Sequence, residues 1–424
     1  MLELVAAALA LIALALPLAV VDWQRVPREA WLIILLVAGV PLLQLVPLPP
    51  LLWHALPARD LQVRALELIG AQDSWRPWSM APSRTLASLL SLGPPLLLLA
   101  MTSAAGRRGR QWLIRTIAAM TLATLLLGAL QLSAGDASPV HLYDVTVPML
   151  VGFQANHNST ADLLLIGLIA VPLLTTELVE RRVIPNRAGP VLGIAAAGIA
   201  LAALGVVLTA SRMGILLLPI AFAACLWMLR PWLTFTPRRL AYGAAVVATL
   251  AVLGLVLLQG SPALTAVLAR FDFSEELRPQ LWVDGYYVAR KYFPFGVGMG
   301  DFVPAFVADE RLESIWPSLP NRAHNDFLEL ASEAGMVGLL ALSAISWTLI
   351  RALRRGRGEA TGLPANLALF GAASLVILAL HSLVDYPFRS MALAGLGAVC
   401  AGLLLSPRQD GETAIGARGT GKTR

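Results

Sequence analysis

Residues 322–338 read RAHNDFLELASEAGMVG. Arg322, His324, Asn325, Asp326, Glu329 and Glu333 crowd the first half, and the second half opens the apolar run MVGLLALSAISWTLI at 336–350. A histidine and three carboxylates thus stand at the mouth of a hydrophobic helix. What they do there depends on whether that helix crosses a membrane, and on which side its mouth opens.

Composition answers the first question. Of 424 residues, 57% are hydrophobic and 14% charged, against roughly 25% charged in a soluble domain. The mean hydropathy is +0.72. Apolar blocks of about 20 residues, the length a bilayer core requires, recur at 2–21, 30–47, 85–103, 111–133, 159–177, 190–209, 214–229, 240–258, 335–350, 364–381 and 391–405. The expectation is an all-α polytopic membrane protein of about eleven (11–12) transmembrane helices. Residues 1–405 then form one integral-membrane domain, and the polar, Gly-rich tail 406–424 is disordered and cytoplasmic. The first block carries Glu3 in place of a basic start and shows no clear cleavage site, so it reads as a retained helix. Cys225 and Cys400 both fall inside spans and form neither a disulfide framework nor a CxxC metal site.

The net charge of +6 does not point to nucleic acid. Basic residues cluster in short alternate loops: Arg25 and Arg28; Arg107, Arg108 and Arg110; Arg181, Arg182 and Arg187; Arg230, Arg238 and Arg239; Arg351, Arg354, Arg355 and Arg357. Placing all of them in the cytoplasm satisfies the positive-inside rule and puts the N-terminus outside and the C-terminus inside. The opposite face receives 48–84, 134–158, the turn TASRMG (209–214), 259–334 and 382–390. All five histidines (His54, His141, His157, His324, His381) fall on it. The segment 259–334, with eleven acidic and six basic residues, is too long for a simple connection and is expected to fold against the membrane as one large periplasmic loop between late spans. The tail stretch GARGTGKTR fits the phosphate-loop pattern from Gly416 to Thr423, but no strand precedes it and no helix follows, so no ATP site is expected.

Several residues on that face could carry chemistry. Arg212, with Ser211, lies in a loop too short to leave the bilayer surface; it either snorkels or offers a guanidinium and helix-end amides to a phosphate. Arg278 and Trp282 precede Pro294, Gly296, Gly298 and Gly300, either a turn between outer helices or an anionic site that glycine lets the backbone approach. Tyr286 and Tyr287 suit sugar stacking or an interfacial belt. Asn325 or Asp326 caps a helix that carries Glu329 and Glu333 on one face. His324, beside Arg322, is either an interfacial cap or a base able to take a proton near neutral pH. His381 and Asp385, four apart, form either an oriented imidazole or a structural link. His157 and Asn158 open another span, with Asp162 about one turn inside, where an acid is costly.

Together, Ser211-Arg212-Met213-Gly214, Arg278 with Trp282 and Pro294-x-Gly296-x-Gly298, and His324-Asn325-Asp326-x-Leu328 leading to Glu333-x-Gly335 resemble the O-antigen ligase and O-antigen polymerase superfamily of bacterial envelope glycan transferases. The resemblance covers roughly 150–400. It implies a glycosyltransferase type C-like fold in the inner membrane, with the active site on the periplasmic side. It also implies an undecaprenyl-diphosphate-linked glycan donor, a glycan or lipid acceptor, membrane lipids as surroundings, and neither nucleotide sugar nor other cofactor. Arg212 and Arg278, assisted by Arg322, would grip the diphosphate. His324 would activate or position the acceptor hydroxyl, and Ser211, Trp282, Asn325, Glu333, His381 and Asp385 would support the site. Arginines would neutralise the leaving group without a metal, and transfer would proceed with inversion. The family usually has about twelve spans with both termini inside, so eleven departs from its pattern. The alternative is a multi-span transporter of a lipid or anionic solute, but its inverted repeats and midplane sites have no counterpart in this sequence.

Overall fold

The structure, a computed structural model, describes residues 22–134, 149–233, 278–311, 320–355 and 363–406, with the single positions 140, 142, 143, 265 and 313. The expected spans 2–21 and 240–258, His141, the first part of the loop 259–334 and the tail beyond Ser406, with its phosphate-loop-like stretch, lie outside the described residues.

In chain order the helices are α1 (Arg28–Leu45), α2 (Pro50–His54), α3 (Asp60–Glu67), α4 (Pro82–Ser91), α5 (Gly93–Ala104), α6 (Arg107–Ala134), α7 (His157–Glu180), α8 (Ala188–Leu208), α9 (Arg212–Leu229), α10 (Arg278–Tyr292), α11 (Phe302–Asp309), α12 (Asp326–Arg355), α13 (Leu363–His381) and α14 (Met391–Leu405). Two-residue strands, β1 (Pro47–Leu48) and β2 (Arg76–Pro77), pair antiparallel. The protein is an all-α polytopic membrane protein. Eight helical stretches among the described residues are long and apolar enough to cross a bilayer, and α14 is a shorter apolar helix.

Local chemistry sets the helix starts. Asn156, Ser211 and Asn325 each accept a hydrogen bond from an amide inside the first turn of α7, α9 and α12, which satisfies donors that the helix itself cannot. The block expected at 85–103 is two helices, α4 and α5, meeting at Leu92. Pro94 and Pro95 lack the N–H groups that would carry one ladder across the junction. The helix expected behind Asn325 or Asp326 is present. Residues 326–334 are already helical, and Gly335, at φ 55° and ψ −143°, kinks α12 where the apolar run begins.

α7 is apolar nearly all round and is the buried axis of the bundle. α6, α8, α9 and α13 surround it in one continuous core. Small residues let the backbones approach, as is usual between membrane helices: a Cβ on Gly167 would lie 2.0 Å from Thr121 Oγ1, and one on Gly371 2.4 Å from Cys400 O. Because successive long helices alternate in direction, the bundle has two chemically different ends. One carries Arg25, Arg107, Arg181, Arg230 and Arg355, with ion pairs Arg107–Glu180 at 2.9 Å and Arg355–Glu29 at 2.5 Å. The other gathers the segments 45–92, 149–157, 209–211, 278–311, 320–326 and 382–390, tied by Gln44 Nε2 to Glu333 O at 2.9 Å and by the Leu150 amide to Leu208 O at 2.9 Å.

Candidate active site

At this second end, His324 Nδ1 lies 3.2 Å from Asp385 Oδ1. His324 is in the left-handed region at φ 48°, uncommon for a residue with a side chain, and is held there from several sides. Trp282 Nε1 donates to its carbonyl at 3.3 Å, and the Tyr386 ring meets the imidazole edge-on at 4.9 Å between centroids. Asp385 is almost fully buried, whereas the His324 side chain is 27% exposed. Asn158 Nδ2 donates to the other oxygen of Asp385, and the Asp385 amide donates to His381 O at 2.9 Å. Burial alone would raise the Asp385 carboxyl, but the hydrogen bond and charge of His324, with the charges of His381 and Arg278, hold it below its ordinary range. An ionised carboxylate only accepts, so the Nδ1 that faces it carries a proton, and Nε2 is the ring nitrogen turned to other partners.

The expected pairing of His381 with Asp385 is corrected. His381 Nδ1 instead meets Asp162 Oδ1 at 2.7 Å, both side chains buried. Residues four apart face each other only while a helix continues. α13 ends at His381 and the chain turns, carrying Asp385 away towards His324. The same pair accounts for an acid inside α7: Asp162 has a buried partner.

The three arginines have different settings. Arg278 is the first described residue of α10, and its charge reaches both Asp385 and His381. Arg212 opens α9 behind the Ser211 cap, half-buried. A Cβ on Gly214 would lie 2.6 Å from Ala161 Cβ, and His157 Nδ1 lies 2.8 Å from Thr209 O, so the TASRMG turn is hooked to the first turn of α7, beside Asn158 and Asp162. Arg322 is bound to Glu329, with Nη1 2.9 Å from Oε1, while its side chain stays 34% exposed. Asn325 caps α12 through the Leu328 amide and donates to Leu383 O at 3.0 Å.

The glycine run is not open to a ligand in the way the spacing suggests. Glu333 Oε1 accepts from the Gly300 and Phe302 amides at 2.9 and 3.3 Å, and Glu333 O accepts from the Gly298 amide at 2.9 Å. The close backbone approach is to α12: a Cβ on Gly296 would meet Glu333 C at 2.6 Å. Glu333-x-Gly335 and Pro294-x-Gly296-x-Gly298 are therefore two halves of one docked turn. Asp301 anchors its far end, accepting from the Ala81 amide at 2.9 Å and Ser79 Oγ at 3.1 Å. Burial pushes the Asp301 carboxyl up to about 7. Tyr286 and Tyr287 are exposed on α10.

Residues 197–343 match the O-antigen ligase family (Wzy_C). The segment is thus similar to O-antigen ligases, which suggests a ligase- or polymerase-like glycosyltransferase of the membrane. No curated protein matches the chain. All three motif pieces lie within the ligase-family segment, but Asp385, His381 and Asn158 lie outside it. Half of the His–Asp pair thus comes from beyond the match.

The sequence reading missed Arg389. Its guanidinium is buried among Glu333 (2.7 Å), Glu329 (3.5 Å) and Asp326 (3.6 Å). Three buried acids on one face of a helix need a counter-charge, and that was the available signal. Gln44 gave none, since it acts through partners more than 200 residues away. Among the described residues no group of three or more His, Cys, Asp or Glu side chains is arranged to hold a metal ion.

Proposed function

We propose that this protein is an inner-membrane glycosyltransferase that moves a glycan from undecaprenyl diphosphate to an acceptor hydroxyl on the periplasmic side. The carrying observation is the His324–Asp385 pair, with an exposed imidazole edge, at the end of the bundle where Arg212 begins α9 and Arg278 lies on α10. The periplasmic assignment rests on the arginine-rich linkers at the opposite end. Collection of the polar groups at one end, away from the midplane, favours transfer over transport.

In this reading Arg212 and Arg278 bind the diphosphate, and Arg322 contributes through the part of its guanidinium that Glu329 leaves exposed. Nε2 of His324 takes the proton of the acceptor hydroxyl. The acceptor oxygen bonds to the anomeric carbon from the face opposite the leaving group, the bond from that carbon to the phosphate oxygen breaks, and the lipid diphosphate departs with the electron pair. The configuration inverts. Charge that develops on the diphosphate is met by guanidinium groups already in place, and Asp385 steadies the imidazolium. His381–Asp162 sets the floor of the site. The 1–405 unit acts as one membrane domain.

The test is a strain deleted for the gene, complemented with wild-type or His324→Ala protein, its surface and lipid-linked glycans resolved by size. Single repeat units accumulating with His324→Ala identify a polymerase, and long chains stranded on the lipid carrier identify a ligase. A normal glycan pattern with membrane-inserted His324→Ala as the sole copy refutes the reading.

A further inference from the structure

The three carboxylates at the mouth of α12 are left over by the proposed chemistry. None points at His324. Each instead holds a different piece of chain. Glu329 Oε2 accepts from the Ala323 amide at 3.0 Å and Oε1 from Arg322, fixing the residues just before His324. Asp326 Oδ2 accepts from Ser382 Oγ at 2.9 Å and the Phe388 amide at 3.2 Å, and the Asp326 amide donates to Ser382 O at 2.9 Å, clamping both ends of the loop that carries Asp385. Glu333 holds the glycine turn that precedes α11. Buried carboxylates standing at positions i, i+3 and i+7 repel one another unless a cation lies between them. Among the described residues, the cation that reaches all three is Arg389, from the 3-10 turn Pro387–Arg389.

We propose that Arg389 is a positioning residue for this same transfer reaction: its guanidinium, caged by Asp326, Glu329 and Glu333, fixes the loop 382–390 against α12 and so sets Asp385 on His324. The inference rests on the transferase reading above. The geometry asks for arginine specifically. A planar guanidinium spreads its charge over a rigid fork that reaches Glu333 at 2.7 Å while staying within 3.6 Å of Glu329 and Asp326, whereas an ammonium is a point charge on a flexible stem. Arg389 lies four residues beyond Asp385 and touches neither member of the pair, so its effect on turnover travels through the loop.

The experiment compares purified full-length wild type with Arg389→Lys, Asp385→Asn and the double variant in lipid nanodiscs. Turnover is measured with lipid-linked glycan extracted from the deletion strain, and binding with undecaprenyl diphosphate as the probe. Arg389→Lys keeps the buried charge. It is expected to lower kcat by about 10²-fold, the scale set by a misplacement of about 1 Å, with KM for the donor and probe affinity within about twofold of wild type. The double variant is expected to be no slower than Asp385→Asn alone, because both act on one contact. A merely structural arginine would lose folded protein and give additive losses. Asp326→Asn, which removes one cage charge and keeps the side-chain shape, serves if Arg389→Lys does not accumulate, and is expected to show the same split. Wild-type kcat in either variant, or additive losses with Asp385→Asn, overturns the proposal. A His324→Ala protein with normal turnover would instead overturn the transferase reading itself.

Discussion

Gly335→Ala tests the joint on which the site's frame depends. Gly335 has φ 55° and ψ −143°, close to a region that only glycine populates freely, and forcing alanine into it costs about 1–3 kcal/mol. The added Cβ would also lie 2.1 Å from Pro294 O and 2.7 Å from Phe295 C. Both are backbone atoms, held by the Met336 amide to Pro294 O bond at 2.8 Å and the Gly298 amide to Glu333 O bond at 2.9 Å, so no flexible side chain can swing aside. Overpacking of this kind adds about 1–3 kcal/mol, for a total of about 2–6 kcal/mol. Gly39→Ala in α1 is the matched control: a Cβ there has nothing within 4 Å, and alanine is the better helix former by about 1 kcal/mol. Thermal unfolding of both variants in one detergent, read as the fraction remaining monodisperse, should give a lower melting temperature for Gly335→Ala and an unchanged or higher one for Gly39→Ala. Gly335→Ala melting with the wild type would refute the claim that the glycine turn docks backbone to backbone on α12.

Asp385→Asn should reduce turnover by about 10²–10⁴-fold at unchanged protein level. Asn158 donates to one oxygen of Asp385, so the new amide would keep its oxygen there and turn its NH₂ towards His324 Nδ1, moving the ring proton to Nε2, where a base must be free; wild-type turnover would exclude the orienting role. Asp301, with its carboxyl raised by burial to about 7, keeps a proton in the folded state that the unfolded chain releases above about pH 4, so it takes stability away as pH rises from about 4 to about 7. The melting temperatures of Asp301→Asn at about pH 5 and about pH 8 should therefore lie closer together than those of the wild type, and an equal separation would contradict it.

Hydropathy and loop charge made the helices and their alternation legible, because a span must be long, apolar and flanked by arginine on one side. The site was legible where chemistry is local: Asn325 caps a helix because its side chain reaches an amide three residues on. The partnerships were not. His381 and Asp385 have helical spacing, yet the helix ends between them, and each finds its partner on another segment: Asp162 on α7, His324 ahead of α12. The glycines suggested a ligand-facing loop because sequence records that a backbone must be approached closely and omits what approaches it. Arg389 was hidden for a related reason. Its turn, PFR, looks like a loop cation, and only the packing of 382–390 against α12 reveals that three acids surround it.

The His–Asp pair draws its two halves from opposite sides of a helical hairpin. His324 precedes α12 and Asp385 follows α13, and these helices run antiparallel through the apolar layer. Their relative height is therefore a coordinate of the site: one residue of slip along a helix axis is about 1.5 Å, enough to open a hydrogen bond. Bilayers of different thickness tilt and shift such helices, so a thickness-sensitive scaffold is spanned here by a contact that tolerates almost no displacement. The ion cage joins the mouth of α12 to the segment just after α13 at that same level, and makes the two helices tilt as one body.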